Sequence, residues 1–375
     1  MAGLYIHIPF CKQACHYCNF HFSTSLKYRK ELLNALEQEL NLQQSYLNGA
    51  TLESIYLGGG TPSLLSAPEL NRLFKKIASL FTISDAAEIT LEANPDDISN
   101  HYLATLRDTP INRLSIGIQS FSDQDLKYMN RAHSAKEAEH CIDKALAAGF
   151  KKLTVDLIYG TPTMDASQWA YNIKRVLDYG VPHISCYCLT VEPQTPLAHF
   201  VKTGQSEAVD DTKASRQFLY LIEELSNNAY DHYEISNFGL PGHYAVHNSN
   251  YWLGKHYLGI GPSAHSFNGV SRQWTIANNA LYIKALGGLQ NRADISWYEL
   301  EHLDEDQRYN EYVMTRLRTI WGVELSDLSK SQQAHFLKEI QTYCQTGHVL
   351  NKGDKYYLSE AGRLLADRIA MEVFR

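Results

Sequence analysis

Nowhere in the 375-residue chain do eighteen apolar residues run together, so no transmembrane helix is expected. The first residues form only a short apolar run interrupted by His7 and Pro9, too brief for a secretory leader. Basic residues are few: 34 Lys and Arg stand against 41 Asp and Glu, for a net charge of −7, and they never gather into a block. That excludes the electrostatic footprint of a nucleic-acid binder. Cysteine is scarce as well, seven in all with no paired spacing beyond residue 18, which excludes a secreted disulfide framework. These absences predict a cytoplasmic protein whose partner is not a polyanion. Membrane contact through a partner would leave no such trace, and no repeat or low-complexity tract is present.

What the chain has is a 44% hydrophobic content, enough for a sizeable core, in a length that fits two domains or one large α/β barrel. Up to about residue 205, short β-type runs alternate with longer helical periods, the pattern of successive parallel βα units. Strands are expected at Leu4 to Ile8, Ser54 to Leu57, Glu88 to Glu92, Arg113 to Ile118, Lys152 to Ile158 and His183 to Leu189. Ser66 with Glu69 makes a capping box ahead of an apolar stripe of Leu70, Leu73, Phe74, Ile77 and Phe81; Ser134 with Glu137 does the same ahead of Ala138, Cys141, Ile142 and Ala145. Cys141 therefore reads as a core residue. The expected fold is an α/β partial (β/α)6 barrel over residues 1–205, followed by a helix-rich region over 206–375. From about residue 300 that region reads as helix Glu305 to Leu317, helix Gln332 to Thr346, a hairpin at Lys352-Gly353-Asp354 and a helix from Ser359, the order of a winged helix. Given the acidic charge, this end reads as a packing or interaction module.

In a parallel barrel the loops at the C-terminal strand ends build the site. The unusual residues gather there. Cys11, Cys15 and Cys18 follow the first strand, Gly58-Gly59-Gly60-Thr61-Pro62 the second, Glu92-Ala93-Asn94-Pro95 ends the third, Gln119 ends the fourth and Asp156 lies late in the fifth. The three cysteines have the spacing C-x3-C-x2-C. A cubane iron–sulfur cluster takes four thiolates, so three in one loop leave an iron open to another ligand. A zinc site completed by His16 or His21 is the rival reading; a disulfide with a spare thiol does not suit a reducing compartment.

The cysteine loop together with the glycine run resembles the radical S-adenosylmethionine (SAM) superfamily. Further segments resemble the oxygen-independent coproporphyrinogen III oxidase group: Leu4 to Cys11, Leu91-Glu92-Ala93-Asn94-Pro95, Ser115-Ile116-Gly117-Ile118-Gln119-Ser120-Phe121, Asn130-Arg131 and Asp156-Leu157-Ile158-Tyr159-Gly160. The resemblance implies a [4Fe-4S] cluster on Cys11, Cys15 and Cys18, SAM on its open iron, and SAM contacts from Tyr5, Gly59, Gly60, Thr61, Glu92, Gln119, Arg131 and Asp156. Arg131 suits a carboxylate; Glu92 and Asp156 suit hydroxyl or amino donors.

Two departures separate the chain from the oxidase itself, which resembles C-x3-C-x2-C-x-C and begins with an extension over its substrate. Phe20 stands two after Cys18, and the first cysteine is already residue 11. Coproporphyrinogen dehydrogenation is therefore not expected, while SAM cleavage remains open. In addition, His247-Asn248-Ser249-Asn250-Tyr251-Trp252 matches the H-N-x-x-Y-W pattern of the haem chaperones paralogous to that oxidase. The implied function is haem binding and transfer, with haem as cargo and haem-accepting proteins as partners; a homodimer is compatible with this. His247 is the first candidate for the haem iron, ahead of His243, His256 and His265. Cys186 and Cys188 share one strand face and read as core filling, with a reserve thiolate ligand as the alternative.

Overall fold

The structure, a computed structural model, describes residues 1–287 and 296–375. Its strands are β1 (Ala2–Ile8), β2 (Leu52–Gly59), β3 (Ile83–Ala93), β4 (Arg113–Gln119), β5 (Lys152–Tyr159), β6 (His183–Cys188), β7 (Asp231–Glu234), β8 (Asn237–Gly239), β9 (Tyr257–Ile260), β10 (His265–Phe267), β11 (Ser271–Thr275), β12 (Tyr298–His302), β13 (Val323–Glu324), β14 (Val349–Lys352) and β15 (Lys355–Leu358). β1 to β6 run parallel in sequence order, as successive βα units must when each crossover returns on the same side.

The alternation along these strands decides which way each side chain points. Leu4, Ile6 and Ile8, Ile55 and Leu57, Leu91, Leu114 and Ile116, and Val155 and Leu157 lie against the outer helices in one buried core. The intervening residues, Tyr5 and His7, Ser54 and Tyr56, Glu88 and Glu92, Arg113 and Ser115, Asp156, and Ser185 and Tyr187, take the opposite, inward phase. A parallel barrel usually fills its interior with branched aliphatics. Here the interior is polar, so it is built to line a ligand space and to hold a hydrogen-bonded floor.

The helices close the outer layer as their caps direct. Helix Ala67–Leu80 starts with the Ser66 N–H donating to Glu69 Oε2 at 2.8 Å and buries Leu70, Leu73, Phe74 and Ile77. Phe81 lies just past its end but stays packed on the core. Helix Ala135–Ala147 starts at the Ser134–Glu137 box and buries Ala138, Cys141, Ile142 and Ala145. Each Leu, Ile or Phe side chain so buried contributes about 1.5–3 kcal/mol.

Beyond residue 205 the chain is helix-rich as expected, from helix Asp211–Asn227 onward, and it also carries short strands that the sequence did not announce. Six further short strands join the barrel sheet, giving the order β12-β11-β10-β9-β1-β2-β3-β4-β5-β6-β8-β7. β9 pairs parallel with β1, and β8 antiparallel with β6. These strands have three to five residues rich in His, Tyr and Gly, too short for a period of two to show. The sheet and its core thus continue across residue 205, and a second core begins at Tyr309 and gathers Val313, Leu317, Phe336, Ile340 and Ile369. Around it stand helix Glu305–Leu317, helix Lys330–Gln345 and the β14–β15 hairpin, which carries β13 on its outer edge. The segment after Ser359 forms two short helices, Glu360–Arg363 and Ala366–Glu372, where one was expected. Among the described residues no helix is long and apolar enough to cross a membrane.

Candidate functional site

At the C-terminal mouth of the barrel lies a cavity of about 410 Å³. Cys11, Cys15, Cys18, Gly59, Gly60, Thr61, Glu92, Gln119, Arg131 and Asp156 all line it, so of the twelve residues given a cluster or SAM role or named first for haem, ten meet in one place. The two that do not are Tyr5 and His247.

The cysteine loop is held by its neighbours. Phe10 bridges to Ser23, and the Cys11 N–H donates to the Ser23 carbonyl at 3.0 Å, which closes the loop on itself. Gln13 Nε2 donates to Asn130 Oδ1 at 2.9 Å, and Asn130 Nδ2 donates to the Ala14 carbonyl at 2.7 Å. All three thiols are free and half-buried. Burial pushes the Cys11 thiol up to about 11, against a hydrogen bond from Thr61 that works in the other direction. Among the described residues no three His, Cys, Asp or Glu side chains converge tightly enough for a single metal ion. The two rival zinc ligands are also engaged elsewhere: His16 Nδ1 with the Tyr128 carbonyl at 3.1 Å, His21 Nε2 with Asn279 Oδ1 at 2.8 Å. Three thiols from one short loop are the donor set of a site-differentiated iron–sulfur cluster.

Opposite the thiols the glycine run comes close to other backbone. A Cβ on Gly60 would stand 2.6 Å from the Phe10 carbonyl oxygen, and Gly59, at φ +104°, would drive one into the His7 ring at 2.5 Å. His7 Nε2 faces the His21 carbonyl at 2.9 Å, so the ring proton sits there and Nδ1 accepts from the Tyr5 hydroxyl at 3.1 Å. Burial lowers the His7 imidazole to about 4, which keeps it neutral.

Glu92 accepts from the Tyr56 hydroxyl at 2.7 Å and from the Gly59 N–H at 3.1 Å. Burial outweighs these bonds and raises its carboxyl above the usual range. Asp156 is pushed up to about 7, first by burial and then by the nearby Glu92 charge, with Ser115 as a hydroxyl partner at 3.3 Å. Arg131 donates from Nη2 to Asn94 Oδ1 at 2.6 Å and to the Gly117 carbonyl at 2.9 Å, and from Nη1 to Cys15 Sγ at 3.3 Å. Gln119 is held in the left-handed region, φ +66°, where β4 breaks its register with β5. Arg131 Nε and Gln119 Oε1 are buried without a partner. A cavity wall with spare hydrogen-bonding capacity fits a polar ligand.

Of the lining residues to which the sequence reading gave no role, Asn94, Tyr17 and Tyr187 matter most to the site. Asn94 Nδ2 donates to Thr61 Oγ1 at 3.1 Å while its oxygen fixes Arg131; it lies inside the Leu91–Pro95 segment, whose carboxylate drew attention first. Tyr17, between two of the cysteines, accepts from Arg131 Nη1 at 3.5 Å. Tyr187 stands in the inward phase of β6, opposite to Cys186 and Cys188. Cys186 is indeed core, but Cys188 lies at the sheet's end, exposed on the cavity rim, so core filling is corrected for that residue.

Tyr5 is placed beneath the cavity, stacked on Tyr56 at 6.1 Å. His247 lies deeper still, at the barrel floor. It is 3% exposed, its Nδ1 meets Ser54 Oγ at 2.8 Å, and Tyr56 and Tyr251 cover it at 5.1 and 5.0 Å. Burial lowers its imidazole to about 3. A haem-iron ligand must present a ring nitrogen to a flat macrocycle; here the ring is enclosed by Ser54, Tyr56 and Tyr251, with Nε2 left without a partner, and the haem-ligand reading of His247 stays an expectation. His243, His256 and His265 keep exposed side chains.

A partial parallel barrel with a three-cysteine loop and a glycine run at its mouth is the architecture of a radical SAM protein, and residues 5–176 match the model of the radical SAM superfamily. The chain is 33% identical over 371 residues to the haem chaperone HemW of Mycobacterium tuberculosis, covering 98% of this chain and 93% of that one. It is 35% identical to HemW of Escherichia coli over 272 residues, 70% and 69% of the two chains. The solved structure of coproporphyrinogen III oxidase (HemN) from Escherichia coli shares the fold, with a TM-score of 0.84 at 24% identity over all of this chain and 90% of that one. The chain belongs to the HemW family within that superfamily.

Proposed function

We propose that this protein is a haem chaperone, which binds haem and hands it to acceptor proteins, and that it carries a [4Fe-4S] cluster on Cys11, Cys15 and Cys18 with SAM in the adjoining cavity. The observation that carries the reading is the likeness to HemW over nearly the whole length of both chains. Phe20 at the place of the oxidase's further cysteine supports it, as does the motif beginning at His247.

The cavity residues fit the cofactors. Three free thiols suit three irons and leave the fourth for SAM. Gly59 and Gly60 let backbone groups approach the methionine end of SAM where any Cβ would intrude. Arg131, pinned by Asn94 and the Gly117 carbonyl, would meet a carboxylate; Gln119, Glu92 and Asp156 would take amino and hydroxyl groups. When bound, cluster and SAM together supply one-electron reduction of a sulfonium. The protein's part is to hold both in one orientation and to keep the Cys15 sulfur beside a cation.

Anaerobic reconstitution followed by haem titration tests the function. The expected result is a stable Soret band and transfer of the haem to an apo-acceptor, with about four irons and four sulfides per chain, the content of a [4Fe-4S] centre. Catalytic conversion of coproporphyrinogen to protoporphyrinogen would overturn it in favour of the oxidase. Dithionite and SAM should yield 5′-deoxyadenosine; binding without this product would leave the cavity a holding site only.

A further inference from the structure

The motif starting at His247 is the part of the sequence that the cavity does not absorb. Its helix, Val246–Trp252, plugs the barrel from below: the N–H groups of Val246 and His247 donate to Glu88 Oε1 at 2.8 and 3.3 Å. Gly3 makes room for the ring, since a Cβ there would lie 3.2 Å from it.

We infer that His247 is a positioning residue for the SAM pocket, acting from the barrel floor through Tyr56 on Glu92; this rests on the reading that the cavity binds SAM. The connection is continuous. The imidazole stacks on Tyr56 with ring centroids 5.1 Å apart and planes at 26°. Tyr5, the β1 cross-strand partner of Tyr56, stacks on both rings and limits their slide. The Tyr56 hydroxyl then donates to one oxygen of Glu92 at 2.7 Å, and the other oxygen accepts from the Gly59 N–H at 3.1 Å. A Cβ on Gly58 would meet the Tyr56 ring at 2.8 Å and Glu92 at 2.9 Å, so the glycine run rests directly on this pair. Because the Tyr56 ring is gripped on its face by His247, the direction of its hydroxyl, and with it the carboxylate facing the cavity, is set from below. The Ser54 bond at 2.8 Å fixes the imidazole's own rotation.

The test uses the full chain with its cluster reconstituted anaerobically, and reads SAM affinity by equilibrium dialysis and the SAM-induced change in the EPR spectrum of the reduced cluster. His247→Ala is expected to weaken SAM on the order of tenfold with iron, sulfide and the haem Soret band retained. His247→Phe, which keeps a ring against Tyr56, is expected to recover most of the loss. Tyr56→Phe removes the hydroxyl and leaves the stack; its loss should equal that of His247→Ala, and the double variant should be no weaker than Tyr56→Phe alone. Additive losses, or a lost Soret band with unchanged SAM affinity, overturn the proposal. If His247→Ala does not fold, Ser54→Ala frees the imidazole without emptying the floor, and a loss of roughly threefold is expected there; unchanged affinity overturns it. Failure of the unaltered protein to bind SAM would remove the pocket reading and this inference with it, whereas normal binding with unaffected variants would remove only the inference.

Discussion

Arg131 joins the cysteine loop to the sheet: its Nη1 donates to Cys15 Sγ at 3.3 Å while Nη2 is fixed by Asn94 Oδ1 at 2.6 Å and the Gly117 carbonyl at 2.9 Å. One planar fork thus serves a sulfur ligand candidate, the end of β3 and the middle of β4. A lysine ammonium cannot reproduce that geometry. Arg131→Lys is expected to retain iron and sulfide but to weaken SAM by at least about tenfold, the worth of one charge-assisted hydrogen bond. Equilibrium dialysis on the reconstituted protein measures it.

Gly60→Ala addresses the other wall. The new methyl would press on the backbone oxygens of Phe10 and Ile8, 2.6 and 2.8 Å away, and backbone there cannot yield without moving Cys11. The expected outcome is a folded chain by far-ultraviolet circular dichroism that takes up little iron on reconstitution. Cys141→Ser, whose thiol is buried on a helix face away from the mouth, should take up a full complement.

Much of this arrangement could be read before any coordinates. The short β-type runs at Leu4 to Ile8 and its five counterparts placed all six strands, with only the start of β3, at Ile83 where Glu88 was expected, missed by more than two residues, because apolar runs persist wherever a strand face packs on helices. The boxes at Ser66 and Ser134 marked helix starts because the bonds that make them are local. Convergence of the mouth residues followed from one rule about strand ends. What escaped was tertiary. β7 to β12 are too short to signal themselves, and their pairing is paid back only by the sheet they extend. The motif at His247 was visible, yet its place under the barrel depends on Glu88, some 159 residues away. Tyr5, given a ligand role by resemblance, is not among the cavity-lining residues and packs against Tyr56 below them.

The floor itself carries a stability prediction. Glu88 and Arg113 form an ion pair at 3.4 Å with both side chains 3% exposed, and Arg113 Nη2 also donates to Thr154 Oγ1 at 2.8 Å. Glu88→Ala leaves a buried guanidinium without its counter-charge and frees two helix N–H groups at once. A loss of about 3–5 kcal/mol is expected, the usual cost of breaking a buried pair from one side. The double variant with Arg113→Met should recover part of it. Urea unfolding of the cluster-free chain gives the comparison; equal stability of Glu88→Ala and the unaltered protein would contradict the floor's role.

Glu39 ties the first helix of the chain to segments far along it: it accepts from the Gly261 N–H at 2.8 Å, the Tyr282 hydroxyl at 2.6 Å and the Thr275 hydroxyl at 3.3 Å. It is fully buried, and burial pushes its carboxyl up to about 7 in spite of those donors. Between about 4.5, the ordinary value, and about 7, the folded state therefore holds a proton that the unfolded state has released. The sign follows: this group's contribution is fully present below about 4.5 and is lost as pH rises through about 7, at about 1.4 kcal/mol per unit of separation. Glu39→Gln keeps an acceptor and cannot ionise. Measured against it by urea unfolding from pH 4.5 to 8, the unaltered protein should lose relative stability steadily up to about pH 7 and then level off. A difference that stays constant over that span would show that the carboxyl ionises in the folded state as it does in the unfolded one.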